Sequence, residues 1–209
     1  MFPLESVRLP GEELPLRIFE PRYGALVREC LGGAMEFGVV LISAGREVGG
    51  DDARCDVGSM AHIVDCQDFG DGRYRLDCET RERIRVVSWL DDDPYPRADV
   101  EPWPDEPGAA VSLADIGAVE DRLMEVFERI ASARNATLPS RSELVGEPEP
   151  GEDAGARLYA LASRVPMGQA DRYSVLEAPT AAARLDALRD AVETVAAMIE
   201  FQLADGPDG

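Results

Sequence analysis

Residues 14–23 read Leu14-Pro15-Leu16-Arg17-Ile18-Phe19-Glu20-Pro21-Arg22-Tyr23. This stretch turns from strand to helix. Pro15–Phe19 reads as a short strand, and Pro21 stands where a helix opens, because the first helical position needs no N–H. Glu20, just before it, is placed to favour the positive end of the helix dipole. Tyr23, Leu26, Val27 and Cys30 follow at helical spacing, and Gly32-Gly33 ends the helix.

Strand signals surround this corner. Upstream, Phe2–Val7 reads as a strand, closed by a Pro10-Gly11 turn. Downstream, Phe37–Ile42 is a continuous apolar run, as expected of a buried strand. Gly45 to Ala53 is polar and glycine-rich and reads as a loop. Val57–Cys66 and Tyr74–Cys78 flank Asp68-Phe69-Gly70-Asp71-Gly72, a strong hairpin signal. If that hairpin is centred on Gly72, Cys66 and Cys78 face each other. Arg83–Leu90 is a further strand, broken by Asp91-Asp92-Asp93-Pro94, and Tyr95–Val100 suits a sheet edge. Residues 1–108 therefore read as one β-rich domain with an inserted helix.

The texture then changes. Residues 109–209 are alanine-rich with helical spacing and read as a helical subdomain packed on the first. Ser112 and Asp115 form a capping box with aspartate in the acidic position. Ile116, Val119, Leu123, Val126, Phe127 and Ile130 mark one helix face. Leu138 to Gly155, with Pro139, Pro148 and Pro150, reads as a mobile loop. Leu158, Leu161 and Val165 suggest a short helix before Pro166, and Tyr173 to Leu176 one further turn. Leu185, Leu188, Val192, Val195 and Ile199 form a heptad seam. A helix packed in its own domain explains the seam, and so does a short dimerising coil. The fold class is α+β.

Composition excludes several functions. The 209 residues hold 41 acidic and 21 basic side chains, and every basic one is arginine. Without lysine the chain carries no P-loop ATPase, Schiff-base or Ser-Lys chemistry of its own. A net charge of −20 opposes binding to nucleic acid and to anionic membranes. Its ordinary consequence is solubility. Residues 1–90 hold 16 acids and 11 arginines, and residues 91–209 hold 25 and 10, so most of the excess lies in the second half. No stretch has the length of a membrane helix, and Met1–Pro10 lacks the regions of a signal peptide. Cys30, Cys55, Cys66 and Cys78 form no CxxC pair, so a cytoplasmic protein with reduced thiols is expected.

Catalytic constellations are absent from the pattern. Cys55, His62 and Cys66 lack metal-knuckle spacing, so no metal or cofactor is expected. His62 is the only histidine; Ser59, three residues away on a strand, points to the opposite face. The pairs Asp51-Asp52 and Asp91-Asp92-Asp93 read as solvated loop tips. Strand alternation puts Arg81, Arg83 and Arg85 on one face, with Ile84 and Val86 on the other. That stripe is either an anion-binding patch or a set of arginines paired with nearby acids. Trp89, Tyr95 and Trp103 either line a groove or pack between the halves. Arg22 and Tyr23 either rim a peptide groove or play structural parts.

The ordered series Phe2-Pro3-Leu4, Leu9-Pro10-Gly11, Leu14-Pro15-Leu16 and Ile18-Phe19-Glu20-Pro21-Arg22-Tyr23 resembles the opening of the Lon substrate-binding domain family. Phe37-Gly38-Val39-Val40-Leu41, Val57-Gly58, Asp71-Gly72, Arg83-Ile84-Arg85-Val86 and Asp93-Pro94-Tyr95-Pro96 continue the match to about residue 100. Thr80 departs from it, standing where the family commonly has glycine. The resemblance implies a PUA-like β pseudo-barrel followed by a C-terminal helical bundle. It implies a non-catalytic module that binds protein or peptide segments, in a family whose ATPase and peptidase lie elsewhere. The expected peptide contacts are Phe19, Arg22, Tyr23, Arg83, Arg85 and Trp89. The expected partners are protein or peptide clients, with a protease or chaperone system as a further candidate, and neither nucleic acid nor membrane. A small-molecule sensor using the barrel mouth is the alternative.

Overall fold

The computed structural model describes residues 1–45, 53–148 and 151–204, so Asp51-Asp52 and most of the expected Gly45–Ala53 loop lie outside it. The chain divides into two units, Met1–Pro104 and Asp105–Gly209. The first contains β1 (Phe2–Leu4), β2 (Glu13–Ile18), α1 (Pro21–Leu31), β3 (Glu36–Ala44), β4 (Ala53–Asp68), β5 (Tyr74–Leu90) and β6 (Arg97–Pro102). The second contains α2 (Leu113–Ala133), α3 (Arg141–Val145), α4 (Ala154–Ala162), α5 (Gln169–Glu177) and α6 (Ala181–Ala204). This is an α+β protein: a mixed six-stranded sheet, then a helical region.

The strand order is β1-β3-β4-β5-β2, with β6 also on β5. Among the described strands only β1 and β3 run parallel. β5 is long enough to serve two partners on one edge. Tyr74–Glu79 pairs with β2, and Ile84–Leu90 pairs with β6. Apolar residues cover both sheet faces. Phe2, Leu14, Ile18, Phe37, Val39, Ile63 and Leu76 pack with Tyr23 and Val27 of α1. Met1, Val40, Ile84 and Val86 form a second cluster, with Met60 and Trp89 against it. Val39 and Val40 thus serve opposite faces, which explains the continuous apolar run. Gly58 is required by close strand approach, since a Cβ there would lie 2.0 Å from the Val39 carbonyl oxygen.

Several expectations are corrected by pairing register. Residues 79–82 do not interrupt the strand; β5 runs through them. Ser59 pairs with Arg83 and Ala61 with Thr80, so Arg81 and Glu82 bulge together opposite Met60. The bulge adds one residue and breaks the alternation. Arg83 then shares a face with Thr80, and the three-arginine stripe is not continuous. The hairpin pairs Asp68 with Tyr74 and is centred on Asp71, not Gly72. Gly70, Asp71 and Gly72 all take positive φ there, which suits glycine and tolerates aspartate. The shift places Cys66 opposite Leu76, and Cys78 opposite Ile63.

Thr80 has taken over a structural task. It is buried, and its hydroxyl donates to the Leu9 carbonyl at 2.6 Å and accepts from the Glu12 N–H at 2.9 Å. The Thr80 N–H reaches the Glu12 carbonyl, and the Gly11 N–H reaches the Thr80 carbonyl, both at 2.8 Å. The Leu9–Glu12 turn is thereby fastened to the sheet just before β2.

In the second unit the Ser112–Asp115 capping box is formed. The stretch read as a mobile loop, Leu138 to Gly155, contains α3, opened by a second capping box between Ser140 and Glu143. Leu188, Val192 and Val195 of the heptad seam are buried, and α6 packs against α2, α4 and α5 of its own unit.

Candidate functional site

A cleft of about 460 Å³ opens in the first unit. One wall is β2 and its exit, Leu14 to Glu20. Phe2 and Leu4 of β1, the following Glu5, Ser6 and Arg8, and Tyr23 complete the lining. The floor is apolar because Leu14 and Ile18 point into the core. The rings of Phe2 and Tyr23 lie 4.2 Å apart between centroids, and Phe2 and Phe37 lie 6.1 Å apart. Phe19 stands on the rim and is 63% exposed.

Strand order explains why a cleft forms here. β1 and β2 are the two ends of the sheet path, so each has one edge without a strand partner among the described residues. On β2 the alternation can be followed. The Thr80 N–H bonds to Glu12, so Leu14, Leu16 and Ile18 continue the bonded positions towards β5. Glu13, Pro15 and Arg17 direct their backbone groups away from β5. Pro15 is tolerated because its missing N–H belongs to this outer edge.

Glu20 occupies the N-cap position of α1 but makes no side-chain cap bond. Its carboxylate instead accepts from Arg22 Nε at 3.1 Å. The Arg22 guanidinium also lies 4.5 Å from the Tyr23 ring centroid. At the other end of α1, the Tyr95 hydroxyl donates to Glu29. Burial and that hydrogen bond push the Tyr95 phenol up to about 12.

The six expected peptide contacts fall in two places. Phe19 and Tyr23 line the cleft, with Tyr23 only 3% exposed, and Arg22 lies between them in sequence and braces Glu20. Arg83, Arg85 and Trp89 belong to the C-terminal half of β5 and do not line it. Arg83 is 4% exposed and donates to the Trp103 carbonyl at 2.9 Å, with its guanidinium over the Trp103 ring. Arg85 holds Glu101 at 2.6 Å. The Trp89 indole donates to Asp56 at 2.9 Å. Arg81 lies 3.9 Å from Glu36.

Ser59 is fully buried, and its hydroxyl donates to the Arg8 carbonyl at 2.7 Å. His62 lies beside Glu36, at 3.5 Å. Among the described residues no three potential metal-ligating side chains gather. None of the described helices is long and apolar enough to cross a membrane.

The family model of the ATP-dependent protease La (LON) substrate-binding domain matches residues 1–194. The chain belongs to the Lon substrate-binding domain family. It is 28% identical over 182 residues to Lon protease 1 of Herpetosiphon aurantiacus, covering 85% of this chain and 22% of that protein. The chain thus spans about a fifth of that relative's length. The crystal structure of a Lon N-terminal domain protein from Xanthomonas campestris aligns with a TM-score of 0.60 and 27% identity, covering 90% of this chain and 94% of the other. The N-terminal domain of the Mycobacterium avium complex Lon protease shares the fold, with a TM-score of 0.58, 15% identity and coverage of 91% and 96%. These 209 residues correspond to the Lon substrate-binding domain and include no ATPase or peptidase domain.

Arg8 was not singled out by sequence reasoning. Its Nε is buried without a hydrogen-bond partner. Nothing local in the sequence marks it, because its place beside β2 arises only when β1 and β2 are brought to one cleft.

Proposed function

We propose that this Lon substrate-binding domain is a non-catalytic module that holds protein or peptide segments in the β1–β2 cleft. The observation that carries the reading is an apolar-floored cleft running along β2, with Phe19 exposed on its rim. Phe19 would cover an apolar client side chain. Tyr23 and Phe2 would form the floor beneath it, and Arg22 would hold the rim through Glu20. Arg83, Arg85 and Trp89 have internal partners and serve the sheet's other half in this reading. The sheet would curl as the PUA-like pseudo-barrel of the family, leaving the cleft at its open seam. Clients held here would pass to a protease or chaperone system in the cytoplasm.

The test is titration with a permanently unfolded protein at moderate salt, using the full chain and Phe19→Asp. Binding by the wild type, weakened several-fold by Phe19→Asp, is the expected result. No binding, together with a melting shift from a small metabolite, would overturn the reading in favour of a ligand sensor, since such clefts also suit small molecules.

A further inference from the structure

We propose that the cleft takes an extended client segment as an added strand on β2, and that an acidic side chain of that segment is received by Arg8 and Arg17. This rests on the peptide-binding reading above and names the chemistry of its substrate.

The backbone supplies the first half. The outer edge of β2 offers the N–H groups of Glu13 and Arg17 and the carbonyls of Glu13, Pro15 and Arg17. An extended peptide satisfies such a row by main-chain hydrogen bonds, and pockets beside it read alternate side chains. The cleft follows this strand from Leu14 to Phe19, so the peptide's inward side chains meet Leu14, Ile18 and the Phe2–Tyr23 floor.

Charge supplies the second half. Several other arginines of the first unit are engaged by carboxylates: Arg22 by Glu20, Arg54 by Asp92, Arg75 by Asp77, Arg85 by Glu101. Arg8 and Arg17 both line the cleft, and neither has an ion-pair partner among the described residues. Arg8 also keeps a buried Nε without an acceptor, in a chain with 41 acidic residues to choose from. Of the two lining carboxylates, Glu20 is held by Arg22. The unmet need in the cleft is for a carboxylate from outside.

The probe is an array of acetylated, amidated octapeptides of alternating apolar and polar residues around one fixed Asp, measured against the same peptides with Asn. Binders are then N-methylated at single backbone amides. The expected result is that Asp peptides bind about tenfold more tightly than Asn peptides, as charge-assisted bonds are stronger than neutral ones. Arg8→Gln with Arg17→Gln should erase that difference and leave Asn peptides unaffected. N-methylation should abolish binding at one parity of amides and spare the other. On the unmodified protein, bound peptide should slow exchange of the Glu13 and Arg17 amides and leave those of Leu14, Leu16 and Ile18 unchanged.

Equal binding of Asp and Asn peptides overturns the acidic preference, and insensitivity to N-methyl parity overturns strand addition. If a free peptide C-terminus is required, the carboxylate has a different source and the proposal also fails. If the unfolded protein binds and Phe19→Asp weakens it, but no octapeptide binds, strand addition falls and the wider function stands. If neither binds, both fall.

Discussion

The two units hold their most buried arginines in opposite ways. In the helical unit, arginines are tied to carboxylates: Arg184 to Asp105, Arg157 to Glu120, Arg141 to Glu120 and Asp121, Arg122 to Glu193, and Arg189 to Asp115. In the sheet unit, the most buried arginine, Arg83, is held by backbone carbonyls, and the two in the cleft have no ion-pair partner among the described residues. The difference lies in the partners available. The second half carries the larger acidic excess, and its helices project long side chains towards each other. The sheet unit directs its side chains to two apolar faces and leaves cations where a strand edge is open. Much of the acidity first read as solubility therefore also serves as internal cross-linking.

The largest test of this contrast is Arg184→Ala. Arg184 is 1% exposed, reaches Asp105 at 2.8 Å through Nη1, and lies 3.8 Å from the Tyr159 ring centroid. Its loss strands a carboxylate that keeps some contact with water. The expected cost is about 3 kcal/mol, the lower end for breaking a buried pair. Urea unfolding followed by helical circular dichroism measures it. A loss below ~1 kcal/mol would mean that the helical unit does not depend on its buried pair. Gly155→Ala should weaken the same place, because its Cβ would approach Asp105 Oδ2 to 2.6 Å and Arg184 Nη1 to 2.8 Å.

Arg83→Met asks the matching question of the sheet. It keeps the apolar stem over Trp103 and removes the donor to the Trp103 carbonyl, at an expected cost of about 2 kcal/mol. Urea unfolding followed by tryptophan fluorescence reports it. A neutral outcome would show that Arg83 is a solvated cation, available to a client after all.

These residues also show what the sequence made legible. The capping box at Ser112, the helix opening at Pro21 and the Asp-Gly turn rely on local chemistry, so they could be read directly. Ser140 and Glu143 carried the same capping signal for α3, but nearby prolines made the stretch look like a loop. The β5 bulge depends on what lies across from Arg81 and Glu82, so alternation alone put the arginines in a continuous stripe. The cleft is less legible still. Pro15 hints at an edge, but that β1 and β2 end the sheet path is a property of strand order, and Arg8 acquires meaning only from it.

Thr80→Val isolates the turn that delivers β2 to the cleft. Valine keeps the shape but cannot meet the Leu9 carbonyl or the Glu12 N–H, so about 1–2 kcal/mol should be lost. Amide exchange should quicken at Gly11 and Glu12. If these amides do not respond, the backbone bonds at Thr80 hold the turn unaided.

The smallest effect is expected on the exposed pairs between α2 and α6. Arg122 meets Glu193 at 2.7 Å and 2.8 Å, yet both side chains remain open to water. Arg122→Ala should therefore cost at most about 0.5 kcal/mol at neutral pH, and less in high salt. The Arg122 guanidinium holds the Glu193 carboxyl below its ordinary 4.5. A carboxyl depressed in the folded state stabilises above its unfolded pKa, and that contribution fades as pH falls through the folded one. The difference between wild type and Arg122→Ala should then shrink as pH falls below that ordinary value and vanish once Glu193 is protonated in the folded state. A difference that persists in acid would place the role of Arg122 in its apolar stem. The contrast between the units would then rest on the buried pair at Arg184, with the surface network contributing charge balance alone.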